Sequence, residues 1–506
     1  MEENMTAHDA YQRLRTRSRE LCRLEEVGEL LGWDQRTMLP VKGHGHRAEQ
    51  LETLASISHE RSVDPLIGDD LEEAEGDLSF VSSSPDIAAN LREWRRTYDR
   101  RVKIPKDLAV AWAKTAAEGE TAWEKAKEAD DWASFMPYLE RMFRLAREKA
   151  EAVGYKDEAY DALIEDFEPG ETAAGLERLF DALKPPLVSL IERIAKSPKK
   201  PNLEIFSRVY PREKQEAFSK VAAAAIGFDF DAGRLDVSAH PFTAGMGTGD
   251  ARITTRYNER FFPSAIMSTL HEAGHGIYEQ GLPAAFEGEP RGRTVSLGIH
   301  ESQSRLFENL VGRSCGFWRR FFKVAQKEFQ ALSDVSFDEF LFALNDVRPG
   351  LIRVEADEVT YNLHIILRFE LERSLLRGDL LVRDLPSAWN EKMKSFFGIV
   401  PTSFKDGVMQ DVHWSCGLIG YFPTYTLGNL YAAQLIHAAS RDLGDLDAAF
   451  EAGEFLPLKT WLNHKIHSQG MLFSARDLVC RATGSPPDAH YLIDGLTAKY
   501  GSLYHL

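Results

Sequence analysis

The sequence predicts a mainly α-helical body carrying one small antiparallel β ribbon. Three observations carry this: long runs with apolar residues every three or four positions, helix breakers gathered between those runs, and only two short stretches with strand character. The helical runs include Tyr11 to Leu31, Leu108 to Ala126, Trp132 to Ala152 and Leu176 to Ile194. A spacing of three and four turns one face of a 3.6-residue helix toward a core. Pro, Gly and Asp collect around Pro40 to Gly45, Ser82 to Pro85, Glu168 to Gly170, Ser197 to Pro201 and Gly245 to Gly249, where the runs should end. Arg234 to Ser238 and Arg252 to Tyr257 alternate and are partly β-branched, and they bracket a Gly-rich turn, so they are expected to pair as the ribbon. No repeat or composition shift marks a linker, so the 506 residues are read as one domain, possible lobes included.

Composition excludes several classes of function. Hydrophobic residues are 43% and charged residues 27%, an ordinary globular balance. A net charge of -17 opposes a phosphate backbone, and the densest cationic stretches, Arg92 to Lys106 and Lys196 to Lys200, read as solvated helix faces or turns. No nucleic-acid partner is expected. No apolar run is long enough to span a bilayer, and the N-terminal MEENMTAHDAYQRLRTRSREL has no signal-like apolar core. Cys22, Cys315, Cys416 and Cys480 form no paired motif, which suits a reducing compartment and a cytoplasmic location.

The chemistry concentrates in SAIMSTLHEAGHGIYEQG, Ser264 to Gly281, where Ala265, Ile266, Leu270, Ala273 and Ile277 form an apolar helical face. Histidines four apart on a helix, His271 and His275, lie on one side and can converge on one metal ion. Glu272 then stands beside the ion. Zinc lowers the pKa of a bound water towards about 7, and an adjacent carboxylate can take its proton as the oxygen attacks a carbonyl. A catalytic zinc site needs a third protein ligand. The metzincin extension is excluded, because Tyr278 and Gly281 stand where glycine and histidine are required. A second amphipathic segment, Ser296 to Gly312, offers Glu301 and Glu308, either of which can be that ligand or a solvated helix carboxylate.

Beyond this motif, the chain resembles the carboxypeptidase Taq family of zinc metallocarboxypeptidases. The resemblance is carried in order by LGWDQRTMLP at Leu31 to Pro40, YDALIEDFEPG at Tyr160 to Gly170, His240-Pro241-Phe242, DARIT at Asp250 to Thr254, HEAGH at His271 to His275, HESQSR at His300 to Arg305, IRVEADE at Ile352 to Glu358 and QDVHWSCGLIGYFPTY at Gln410 to Tyr425. Ala251 departs from the larger aliphatic residue expected there. The resemblance implies Glu301 as third ligand and a two-lobed helical fold around a central groove, similar to angiotensin-converting enzyme and neurolysin. It also implies a homodimer that removes single residues from peptide C-termini with broad specificity, poorly when the last residue is proline. Zinc is the implied cofactor, with cobalt or manganese as substitutes.

An exopeptidase must hold a free carboxylate, and a guanidinium can do so with two parallel hydrogen bonds. Arg353 resembles the family's carboxylate-binding residue, although its spacing from Asp357 equally suits a helix ion pair. His413, Tyr421 and Tyr425 offer donors to a tetrahedral oxyanion, with His413 and Tyr421 favoured by similarity to the converting-enzyme fold and Tyr425 equally readable as packing. Gln410 could help hold the substrate terminus. Strand alternation places Asp250, Arg252 and Thr254 on one face, where a local ion pair is the simplest reading; the resemblance suggests that this block and His240 close one end of the groove. Asp357 or Glu358 could orient the metal-binding histidines. An endopeptidase or dipeptidyl peptidase on the same scaffold, and a non-catalytic protein with a structural metal, are the competing readings.

Overall fold

The computed structural model describes residues 6–506; the five residues before them, part of the N-terminal stretch considered above, lie outside the described residues. Helices follow the sequence pattern closely. The four periodic runs lie within Ala7–Thr37, Lys106–Ala129, Trp132–Val153 and Ala173–Lys196. The first begins at a reciprocal cap in which Thr6 and Asp9 satisfy each other's backbone N–H groups. The gathered breakers fall at or between helix ends, except Gly245 to Gly249, which turns between two strands.

A single large core runs from Ala126 to Tyr504, and it takes in the apolar faces of Trp132–Val153, Ala173–Lys196 and Phe262–Gln280. A satellite cluster of Ala10, Tyr11, Leu14, Ile67, Leu71, Ala74 and Leu91 joins three N-terminal helices to one another. Polar anchors tie this N-terminal bundle to the rest. Buried Glu289 accepts from Arg15, Arg19 and Asn90, and Ser18 donates to the Gly288 carbonyl at 2.6 Å.

The sheet corrects the expected antiparallel ribbon. Strands β1 (Gly233–Val237), β2 (Thr243–Gly245) and β3 (Ala251–Thr255) lie in the order β1-β3-β2. The two stretches recognised in the sequence, β1 and β3, pair in parallel, while β2 pairs antiparallel with β3. The Gly-rich turn explains this: Met246 N–H donates to Asp250 O, and Gly247 at φ +95° lets the chain reverse between β2 and β3. The turn therefore makes a hairpin with a strand too short to show alternation, and β1 reaches the far side of β3 by a longer connection. The strong β1 and β3 signals reported strands correctly and said nothing about their pairing.

Candidate metal centre

His271 and His275 project from the helix Phe262–Gln280, and Glu301 from the helix Leu297–Arg305 packed against it. One ligand atom from each of the three lies within 4.8 Å of the others. The helices can approach because Gly274 has no side chain: a Cβ there would stand 2.5 Å from the Gln303 carbonyl oxygen and 2.7 Å from the Ser304 Cα. Across the Glu301 helix, Gly428 leaves the same kind of room, since its Cβ would meet Glu301 Cγ at 2.6 Å. The start of that helix is fixed by Ser296, which accepts from Ile299 N–H, and by buried Glu168, which accepts from Gly298 N–H at 2.8 Å.

Hydrogen bonding decides the histidine tautomers. A carboxylate only accepts, so Glu308 Oε2, 2.8 Å from His271 Nδ1, requires a proton on that nitrogen. Glu279 Oε1, 2.8 Å from His300 Nε2, likewise makes His300 a donor there. With its proton on Nε2, His300 then accepts at Nδ1 from His275 Nδ1–H. Both ligand histidines are left with their Nε2 lone pairs facing Glu301 Oε2, at 3.8 Å from His271 and 3.5 Å from His275. With both histidines neutral, as metal binding requires, three acceptors meet with no donor among them. Donors at about 2.0–2.1 Å from a tetrahedral ion are separated by roughly 3.3–3.5 Å, so this N,N,O set, at 3.5 and 3.8 Å, needs only a small closure to hold one divalent metal. The electrostatics agree. Burial opposes a charge on His271, yet Glu301, Glu308 and Glu272 outweigh it and lift its pKa to about 9, so these carboxylates favour positive charge at this point, whether a proton on His271 or a metal ion in its place.

The orienting groups differ from those expected. Asp357 is spent on the Val359 and Thr360 N–H groups and the Thr360 hydroxyl, while Glu358 takes Tyr500 and Lys499. Glu308 and the His300–Glu279 relay orient the histidines instead. Glu308 reaches His271 from a π-helical turn, Leu306–Val311, that continues the Glu301 helix. Arg305 spans both acids, donating to Glu301 Oε1 at 2.6 Å and Glu308 Oε2 at 3.1 Å. Its spacing from each, i,i+4 and i,i+3, was the available sequence signal.

Glu272 is buried, which raises its pKa, and Thr243 of β2 donates to its Oε2 at 2.7 Å. The small sheet thus fixes the acid beside the histidines. Thr243 has no spacing relation to HEAGH and was not legible as a partner.

The remaining candidates fall into two groups. His413 Nε2 lies 3.1 Å from the Tyr425 hydroxyl, and Tyr421 packs against both rings. Burial lowers the His413 pKa to about 3, and burial raises that of Tyr421 to about 12, so both are neutral and both can donate. Arg353 stacks over Tyr425 at 5.1 Å, donates to Tyr361 at 3.0 Å and pairs with Asp411 at 2.7 Å. Its expected alternative partner is corrected: Arg353 lies in a short 3-10 turn, Arg353–Glu355, and not on a regular helix with Asp357. Fully buried Arg368 holds the other Asp411 oxygen at 2.6 Å. Gln410 spends its amide on backbone, accepting from Arg353 N–H and donating to the Leu351 and Asp406 carbonyls. It fixes the Arg353 turn.

Arg252 makes the simple local ion pair with Asp250, at 2.8 Å, and stacks over Trp33 at 4.4 Å. Trp33 belongs to the LGWDQRTMLP block, so the N-terminal helix meets the sheet here. His240 is exposed on the connection between β1 and β2.

Two histidines and a glutamate on adjoining helices, with a second glutamate held beside them, define a helical metallopeptidase. The sequence profile of the carboxypeptidase Taq metallopeptidases matches residues 13–500. Thermostable carboxypeptidase 1 of Thermus thermophilus is 51% identical over 99% of this chain and 100% of its own, and carboxypeptidase 1 of Bacillus subtilis 40% identical over 95% and 96%. A solved carboxypeptidase of the same family from Deinococcus radiodurans superposes with a TM-score of 0.95 at 38% identity, covering 98% of this chain and all of the other. The chain belongs to the carboxypeptidase Taq family of metallopeptidases and is a carboxypeptidase.

Proposed function

We propose that this protein is a zinc-dependent carboxypeptidase that releases single amino acids from the C-termini of short peptides, with His271, His275 and Glu301 holding the metal and Glu272 as general base. The convergence of two Nε2 lone pairs and one carboxylate oxygen beside buried Glu272 carries this reading. When bound, the ion supplies Lewis acidity toward water and the scissile carbonyl. Glu272 takes the water proton during attack and returns it to the leaving amine, and Thr243 keeps its carboxylate in line.

Neutral His413 and Tyr421 donate to the developing oxyanion, with Tyr425 aligning His413. Arg353 receives the substrate carboxylate, exchanging its Tyr361 contact for the ligand while Asp411 and Gln410 keep its stem in place. His240 and Arg252 limit the groove to short peptides. Broad specificity, poor release of terminal proline and a homodimer follow from the family resemblance. One peptidase domain spans 1–506, and the four free cysteines suit a cytoplasmic location.

Product analysis tests this directly. A blocked dipeptide and longer free-carboxylate peptides should yield single C-terminal amino acids, and amidated peptides should be poor substrates. Internal fragments or dipeptides as first products would overturn the exopeptidase reading. Metal analysis of the purified protein, with zinc, cobalt and manganese compared after chelation, tests the ion.

A further inference from the structure

Away from the metal centre, a cavity of about 310 Å³ lies between the helices Ala7–Thr37 and Pro85–Lys103 and the segment Pro290 to Thr294. Its apolar wall includes Leu14, Leu21, Ile67, Trp94 and Met471. Its charged lining is unbalanced, with Arg17, Arg96, Arg101 and Arg293 against Glu25 and Glu93. This excess sits in a protein whose net charge is -17.

The excess is concentrated at one place. Arg17 is matched by Asp64 and Asp70, and Arg96 by Glu93 and Glu165. Arg293 takes the Glu25 carboxylate at 2.8 Å, which leaves Arg101 a contact of 3.9 Å to the same acid as its one ion pair among the described residues. Burial pushes the Arg101 pKa below the usual arginine value, and the Arg293 charge adds to this against the pull of Glu25. Two guanidiniums thus share one carboxylate, leaving positive charge in excess at the edge of the apolar wall.

We infer that this cavity binds a small organic carboxylate whose body is apolar and about the size of a single aromatic ring. The carboxylate sits between Arg101 and Arg293, and the ring lies against Trp94 and Leu21. The volume is at the lower end of the range for small-molecule sites, which suits a ligand of this size.

Calorimetric titration of the metal-loaded protein with 3-phenylpropanoate, its uncharged amide and inorganic phosphate tests the inference. The acid should bind saturably at one site outside the metal centre, and the amide and phosphate should each bind at least tenfold more weakly. Arg101→Gln should weaken the acid at least tenfold while leaving hydrolysis of a blocked dipeptide, measured without the acid, unchanged; Arg353→Ala should leave the cavity affinity intact. Affinity lost in Arg353→Ala but kept in Arg101→Gln would place the ligand in the catalytic groove and overturn the inference, as would absence of binding. The peptidase reading is judged separately, by the parent's hydrolysis of the blocked dipeptide.

Discussion

Gly274 lies so close to Ser304 that a β-carbon on the glycine would stand 2.7 Å from the serine Cα. This contact sets the separation of the two helices that supply His271, His275 and Glu301. Gly274→Ala should therefore push the Glu301 helix away, at an overpacking cost of about 1–3 kcal/mol. The expected result is a lower melting temperature together with metal affinity reduced at least tenfold in a chelator competition. Unchanged affinity would show that the close approach does not position Glu301.

Glu308 should matter to the metal without touching it. Glu308→Ala removes the acceptor that fixes the His271 tautomer and frees Arg305 from one of its two acids. Loss of such an orienting partner typically weakens binding about 10- to 100-fold. Zinc titration against a fluorescent chelator reads this, and Asp357→Ala should leave the affinity unaltered.

Thr243→Val keeps the shape of the side chain and removes its hydrogen bond to Glu272. A hydrogen bond to a charged group contributes about 1.5–3 kcal/mol, so turnover should fall by roughly tenfold or more with metal content retained. Full turnover would mean that Glu272 is aligned without the sheet.

Asp411 lies between Arg353 and fully buried Arg368. Asp411→Asn leaves two guanidiniums facing each other with one neutral acceptor, and breaking a buried pair in this way costs about 3–5 kcal/mol. Urea unfolding should report that loss. Cleavage of free-carboxylate peptides should suffer through KM, because the stem of Arg353 is no longer held.

Glu372 gives a pH signature distinct from the metal centre. Burial raises its carboxyl to about 7 from an ordinary value of 4.5, despite hydrogen bonds from Tyr160, Trp414 and Gly420. The folded state thus holds a proton that the unfolded chain has released between these values. Its contribution is full below 4.5 and is lost as pH rises through about 7. Stability measured by urea unfolding should carry a downward term of about 3 kcal/mol across this window. Glu372→Gln should lack that term.

Much of this was legible in the sequence, for identifiable reasons. Apolar periodicity and breakers located the helices because both act over a single turn, and HEAGH set two proposed ligands on one helix face because four residues span one turn. The orienting groups are different in kind. Glu308 reaches His271 across 37 positions and a π-helical turn, and Thr243 reaches Glu272 across 29 from a three-residue strand. Arg353 was read against its near neighbour Asp357, whereas its partner is Asp411 across 58 positions. Local spacing favours the neighbour; the folded chain brings the distant acid to it. Strand pairing failed similarly, because alternation marks a strand without indicating its direction relative to a partner.

Glu272→Gln is the most direct test of the catalytic assignment. The variant keeps the size of the side chain and all three proposed ligands, but it has no carboxylate to accept a proton. Zinc content and hydrolysis of a blocked dipeptide should be measured on the same sample. The account predicts one zinc per chain and a rate lowered by about 100- to 10,000-fold; parental turnover in the metal-loaded variant would contradict it.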